Sequence, residues 1–281
     1  MENVREVTKE LVRTFISNFK FSNIIEDNSV LIVGGSWLHH GPPFLAASSA
    51  LKTGIVKVYL AAPKTLSTVF RIMSSDIIVL PLPDMKFTKG CARRLLKWMP
   101  NVGSILLGPG LGKGCREGLE VFLKETKNLP LILVDDALHY DTIRLLNNKM
   151  HLIILTAKEF PRLFNVPLPE DVKEKINVIA SKAKEVKVTI YLKDTIDIIS
   201  DGETTFTYNP TPTQPILYGS LSVLAGITTA FSSIGFSSLE AAALGAYING
   251  KIHSIANQER GKHYIASELV NYIQVAVKEI F

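Results

Sequence analysis

An α/β protein built on a mostly parallel sheet is the fold class this sequence predicts. Two observations carry the expectation. Short, solidly apolar runs recur along the chain, each ending in glycine or a polar residue, which is how strands buried on both faces read. Helical patterns separate them, and strands alternating with helices lead to a parallel sheet. A third observation narrows the alternatives. With 281 residues, 47% hydrophobic and 20% charged, the chain can bury a large core and lies far from the composition of a disordered segment.

The elements follow in order. Val4, Val7, Leu11, Phe15 and Phe19 recur at helical spacing among charges and predict an N-terminal helix over about 4–20. Ser29 to Val33 is a strand ending in the turn Gly34-Gly35-Ser36, and Pro43 to Lys52, with Ala46, Ala47 and Ala50, is a tightly packed helix. Val56 to Leu60, Ile77 to Pro81 and Ser104 to Leu107 are the next strands, the last ending in Gly108-Pro109-Gly110-Leu111-Gly112. A helix from about Cys115 to Thr126 precedes a strand over Leu131 to Val134 that ends in Asp135-Asp136. Leu152 to Leu155 ends in Thr156, Val172 to Glu185 is helical, and Val188 to Leu192 ends in Lys193-Asp194. Asp201-Gly202 sits between two β-rich runs from Ile196 to Asn209 and reads as a hairpin. From about Leu221 the chain is helical and rich in Ala, Ser and Gly, residues that let helices pack closely. One domain over 1–281, with a core over about 29–275, is expected, since no linker or repeat interrupts it. Gly35, Gly110, Asp136, Thr156 and Lys193 should meet at the carboxyl edge of the sheet, where open α/β sheets bind ligands.

Charge excludes several classes of function. Lys plus Arg is 31 and Asp plus Glu is 26, a surplus of +5 with no dense basic run; this hints at anionic ligands and not at nucleic acid. No charged residue occurs from Asn28 to Leu51 or from Thr204 to Leu239, yet prolines and glycines break both stretches, so neither is a membrane span. Cys91 and Cys115 form neither a disulfide framework nor a zinc signature. A cytoplasmic protein with no membrane and no nucleic-acid partner is expected.

Each motif has two readings. The glycines from Gly108 to Gly112 let backbone approach a phosphate at a helix start, or simply make a tight turn. They do not form a Walker loop, because Gly114 and not Ser or Thr follows Lys113. Gly219-Ser220-Leu221-Ser222 opens an apolar helix with free N–H groups for an anion, or is an ordinary serine cap. Asp135-Asp136 can hold Mg²⁺ or supply a base, or cap the next helix. His39-His40 lacks further ligands nearby, and no metal site is assigned. Lys193 places an ammonium at the ligand edge, or is a solvated strand end.

The order of these motifs is more specific than any one of them. From about Val30 to about Ile273 the chain resembles the ADP/ATP-dependent NAD(P)H-hydrate dehydratases. The matching segments are Gly34-Gly35-Ser36, Gly41 to Ala47, Leu51 to Gly54, Gly108 to Gly112, Val134 to Leu138, Leu155 to Phe160, Leu192 to Asp194, Gly219 to Gly226 and Ala266 to Leu269. The resemblance implies a ribokinase-like three-layer α/β/α sandwich and an enzyme of nicotinamide nucleotide repair. Such an enzyme phosphorylates the hydroxyl of the hydrated nucleotide with ADP or ATP and Mg²⁺ and then loses phosphate. It implies nucleotide contacts at Lys193, Asp194, Asp197, Gly219, Ser220 and Leu221, and a hydrate pocket at Gly41, Pro42, Gly108, Gly110, Gly112 and Lys158. It also implies a homo-oligomer, often a tetramer.

This sequence departs from the family pattern at the reacting centre. The position of the family's general base is Ser222, preceded by Leu221 where the family has glycine. A serine hydroxyl is far too weak a base at neutral pH without a neighbour's help. Asp194 and Asp197 replace a glycine and a threonine. If the reaction runs, the base is relocated, with Asp136 and Glu159 as candidates. Two alternatives stay open: a paralogue that binds nucleotide or dinucleotide without catalysis, and a ribokinase-like small-molecule kinase.

Overall fold

The computed structural model describes residues 4–19, 28–210 and 217–281. Its strands are β1 (Val4–Glu6), β2 (Ser29–Val33), β3 (Lys57–Pro63), β4 (Ile77–Leu82), β5 (Ser104–Leu107), β6 (Leu131–Leu133), β7 (Leu152–Thr156), β8 (Thr189–Lys193), β9 (Asp197–Ser200) and β10 (Thr205–Tyr208). They form one sheet in the order β1-β10-β9-β8-β7-β6-β5-β2-β3-β4. Strands β2 to β8 pair parallel throughout, β9 runs antiparallel to β8 and β10, and β1 joins β10 in parallel. The mostly parallel sheet and the hairpin at Asp201-Gly202 are as the sequence predicts.

Helices cover both faces, and the alternation of strand side chains explains how. Val30 and Ile32 of β2 point into one apolar core, Leu31 and Val33 into the other. The first core is closed by helices that include α1 (Lys9–Asn18), α2 (Gly41–Thr53), α3 (Lys64–Met73), α9 (Ser220–Ile234), α10 (Ser238–Arg260), α11 (Ala266–Leu269) and α12 (Ile273–Lys278). The second is closed by α4 (Lys89–Trp98), α5 (Arg116–Thr126), α6 (Tyr140–Leu146), α7 (Phe160–Phe164) and α8 (Val172–Val186). This is a three-layer α/β/α sandwich. Helices α3, α4, α6 and α7, each of ten residues or fewer, are absent from the sequence reading.

The N-terminal segment differs from expectation. The helix begins at Lys9, not near Val4, because Thr8 takes an extended conformation and its hydroxyl caps the Leu11 N–H at 3.2 Å. The residues before it pair with β10, Val4 opposite Thr205. Helix α1 then packs through Phe15 on Phe206 and Phe19 on Phe236, ring centroids 5.8 and 4.3 Å apart. Lys20 and residues 211–216 lie outside the described residues.

Small residues bring α9 against α2. A Cβ on Gly226 would lie 2.2 Å from the Ala46 carbonyl oxygen, a backbone atom that cannot swing aside. Gly226→Ala is therefore expected to force the two helices apart and cost about 3 kcal/mol. Denaturant unfolding measures it, and a loss below about 1 kcal/mol would show that the helices can separate freely.

Candidate active site

The chain reverses its direction of sheet growth between β2 and β5. From β2 it proceeds outward through β3 and β4; from β5 it proceeds the other way through β6, β7 and β8. Helix α2 leaves β2 on one face and α5 leaves β5 on the other. The loops after these two strands therefore diverge at their carboxyl ends, and a crevice opens, as open α/β sheets require at such a point.

Hydrogen bonds fix the two loops. Gly35 N–H donates to Pro109 O at 2.9 Å, and Gly108 N–H to Val33 O at 3.2 Å. Gly108 sits at φ +124°, and a Cβ there would lie 1.8 Å from the Val134 carbonyl oxygen, so only glycine can bring the β5 and β6 ends this close. The crevice contains a cavity of about 250 Å³. His39 comes from the loop after β2, Pro42 from the first turn of α2, Gly110 from the loop after β5, and Asp135 and Asp136 from just past the end of β6. Tyr218, Gly219, Leu221 and Ser222, at the start of α9, close it. His39 Nδ1 and the Tyr218 hydroxyl are hydrogen-bonded across it at 3.0 Å.

The two aspartates differ. Asp136 Oδ2 accepts the Gly112 N–H at 2.8 Å, and its carbonyl oxygen accepts the Cys115 thiol at 3.3 Å. Burial, with the Asp136 charge, pushes that thiol up to about 11, so it stays protonated. Asp135 takes φ +47°. Burial, then the charges of Glu159 and Asp136, push its carboxyl up to about 7. Asp135 also lines a neighbouring cavity of about 220 Å³ with His139, Glu159 and Arg162. Glu159 itself is engaged: its Oε2 accepts the Thr156 N–H at 2.7 Å and the Thr156 hydroxyl at 2.8 Å.

A second polar cluster stands at the end of β8. Both oxygens of the buried Asp197 carboxylate accept from Lys193 Nζ, at 2.9 and 2.8 Å. Oδ2 also accepts the Tyr191 hydroxyl at 2.8 Å, and Oδ1 the Asp194 N–H at 3.2 Å. Burial pushes the Asp197 carboxyl up, and the Lys193 ammonium beside it pulls the other way. Asp194 pairs with Lys175 at 2.5 Å. Burial, then the Lys193 charge, hold the His253 imidazole down at about 3, and its Nδ1 bonds the Tyr264 hydroxyl at 2.8 Å.

The sequence-predicted residues thus fall into groups. Pro42, Gly110, Asp136, Gly219, Leu221 and Ser222 share the central cavity. Gly108 and Gly112 hold its floor from behind, whereas Gly41 lines a separate groove with Phe44 and Val270. Ser220 lies beside the cavity, its hydroxyl donating to Leu217 O at 2.8 Å. Lys193, Asp194 and Asp197 form the cluster at β8, and Lys158 is exposed, outside both cavities. Sequence reasoning named Asp135 only as one half of the Asp135-Asp136 pair and passed over Tyr218, whose signal is its adjacency to the Gly219 turn.

The chain is similar to known proteins over most of its length. The family model for NAD(P)H-hydrate dehydratase matches residues 30–275. The chain is 33% identical over 278 residues to the ADP-dependent (S)-NAD(P)H-hydrate dehydratase of Nitrosopumilus maritimus, covering 98% of this chain and 97% of that one. A relative with the same description from Cenarchaeum symbiosum is also 33% identical, with the same coverage. Among solved structures, the ADP/ATP-dependent NAD(P)H-hydrate dehydratase of Bacillus subtilis, co-crystallised with ATP/Mg²⁺, superposes with a TM-score of 0.80 at 17% identity, covering 100% of both chains. A ribokinase-like superfamily protein from Enterococcus faecalis superposes at 0.77 with 16% identity, covering 100% of this chain and 97% of that one, which identifies the sandwich as ribokinase-like. With the glycine loops at a topological switch point and a match that spans most of its length, this chain belongs to the NAD(P)H-hydrate dehydratase family.

Proposed function

We propose that this chain dehydrates NAD(P)H hydrate at the expense of ADP or ATP, in the cavity at the β2/β5 switch point. The observation that carries the reading is the meeting of Gly110, Asp136, Gly219 and Ser222 around one cavity, with the N-terminus of α9 at its wall. A helix start offers unsatisfied N–H groups to a transferring phosphate, and fixed donors of this kind stabilise charge without reorganising. Pro42 and the Gly108–Gly112 turn would face the nicotinamide ring. Lys193, with Asp194 and Asp197, would lie toward the nucleotide phosphates, the ammonium offset by the Asp197 carboxylate.

Mg²⁺ belongs to this reading as a companion of the nucleotide. Among the described residues no group of three His, Cys, Asp or Glu side chains is placed to hold a metal. A Mg²⁺ ion held by phosphates, water and one or two carboxylates needs no such cage, and when bound it neutralises charge on the transferring phosphoryl group. Among the same residues no helix is long and apolar enough to cross a membrane. A homo-oligomer is part of the proposal and is tested by sedimentation.

Purified protein with NADHX, Mg²⁺ and ADP or ATP should regenerate NADH, followed by its absorbance, and omission of the nucleotide should abolish the signal. No regeneration from a verified substrate, beside an active relative, would sink the reading. A second reading has its own support: Ser222 stands where a base is needed and Asp197 occupies Lys193, as suits a protein that binds nucleotide without turnover. Calorimetric binding of ADP, ATP or NAD in the absence of dehydration would favour it.

A further inference from the structure

We infer that Asp135, and not Ser222, takes the proton from the hydroxyl of the hydrated nicotinamide, an inference that rests on the proposed function. Position comes first. Asp135 follows β6 beside the switch point and belongs to the walls of both adjoining cavities. It thus faces the same space as Gly110 and the α9 N-terminus.

Availability comes second. Asp136 is held by the Gly112 N–H and Glu159 by the Thr156 N–H and hydroxyl, so each already has an oxygen engaged by the protein. Among the described residues no hydrogen-bond donor holds the Asp135 carboxyl. It is enclosed by protein yet open to the cavity.

Backbone conformation comes third. Asp135 is a non-glycine residue at φ +47°, and residues kept in sparse backbone regions gather at functional sites. The groups facing it are Asp136 on its own turn, His39 and Tyr218 across the cavity, and His139, Tyr140, Glu159 and Arg162 on the other side. With burial, the two carboxylates bring it to about 7, in the range where a general base is most effective at neutral pH.

The step balances as follows. The Asp135 carboxylate accepts the hydroxyl proton while that oxygen bonds to the terminal phosphorus of the nucleotide. The P–O bond to the remainder of the nucleotide breaks, and its electron pair stays on the departing phosphate oxygen. The phosphorylated ring then expels phosphate, which leaves with the C–O electron pair, while the adjacent ring C–H proton passes to water and its bonding pair forms the C=C bond.

The test uses the full chain with NADHX, Mg²⁺ and ADP or ATP between about pH 5 and pH 9. Asparagine tolerates φ > 0 as aspartate does, so Asp135→Asn alters the charge and spares the turn. Wild-type kcat/KM should rise through a limb near 7. Asp135→Asn should lower kcat by about 100- to 10,000-fold and lose that limb, with ADP affinity by calorimetry within about threefold of wild type. Asp136→Asn, which keeps an acceptor for Gly112, should move the limb to lower pH by removing a like charge. A wild type that turns over alongside an equally active Asp135→Asn overturns the inference and leaves the proposed function standing. A wild type without turnover removes both. If Asp135→Asn fails to bind ADP, the Asp136→Asn profile decides, and an unmoved limb overturns the inference.

Discussion

Lys193→Met is expected to destabilise the fold by about 3–5 kcal/mol, the cost of leaving one partner of a buried ion pair without the other. The Asp197 side chain is fully buried and that of Lys193 only 10% exposed, so water cannot replace the lost ammonium. Tyr191 and the Asp194 N–H would remain as donors, short of balancing a full charge. The carboxyl would then respond by taking a proton, because burial pushes it up and Lys193 is the chief opposing influence. A folded-state pKa raised this way preserves stability at low pH and loses it as pH rises through the raised value. The deficit of the variant should therefore be larger at pH 8 than at pH 5 in urea titrations. Lys182→Met, at a pair whose Glu185 partner is 49% exposed, should cost below about 1 kcal/mol. Equal losses for the two variants would show that the β8 cluster is already open to water.

The second large effect runs in the opposite direction. Asp135→Asn should make the protein more stable at alkaline pH. The Asp135 carboxyl moves from 3.8 to about 7 on folding. Its favourable contribution is complete below 3.8 and is lost as pH rises through about 7. The full shift corresponds to at most about 4 kcal/mol, and solvent in the cavity reduces the expected gain to roughly 1–3 kcal/mol. Melting temperatures of variant and wild type should coincide near pH 4 and separate above pH 7, the variant higher. A variant that melts lower at pH 8 would mean that the ionised carboxylate is held by donors and carries no burial penalty. Gain of stability on neutralising a site residue is the common mark of a group kept for chemistry.

Much of the fold was legible because burial on both faces leaves a plain record. Strands such as Ser29–Val33 and Ser104–Leu107 are wholly apolar after a first serine, and the glycine loops that follow them mark the ligand edge. The start of the first helix was not legible, because Val4 fits a helical stripe as well as a strand, and pairing with β10 decides. The site was legible where backbone makes it, at Gly108 to Gly112 and at Gly219. It was not legible where through-space charge makes it. Asp135 and Asp136 are neighbours in sequence with equal claims, and only the reach of Gly112 to one and the approach of Glu159 to the other separate them. Likewise the end of β8 showed a lysine and two acids, and only the folded chain shows Asp197 gripping Lys193.

The pairing of β1 with β10 joins strands that are far apart in the chain. Val4 meets Thr205, and such a distant closure is slow to form. Until it forms, the outer edge of β10 is an open row of N–H and C=O groups, a template for another chain. Covering this edge with β1 therefore makes a slow, long-range contact the one that shields the sheet from self-association.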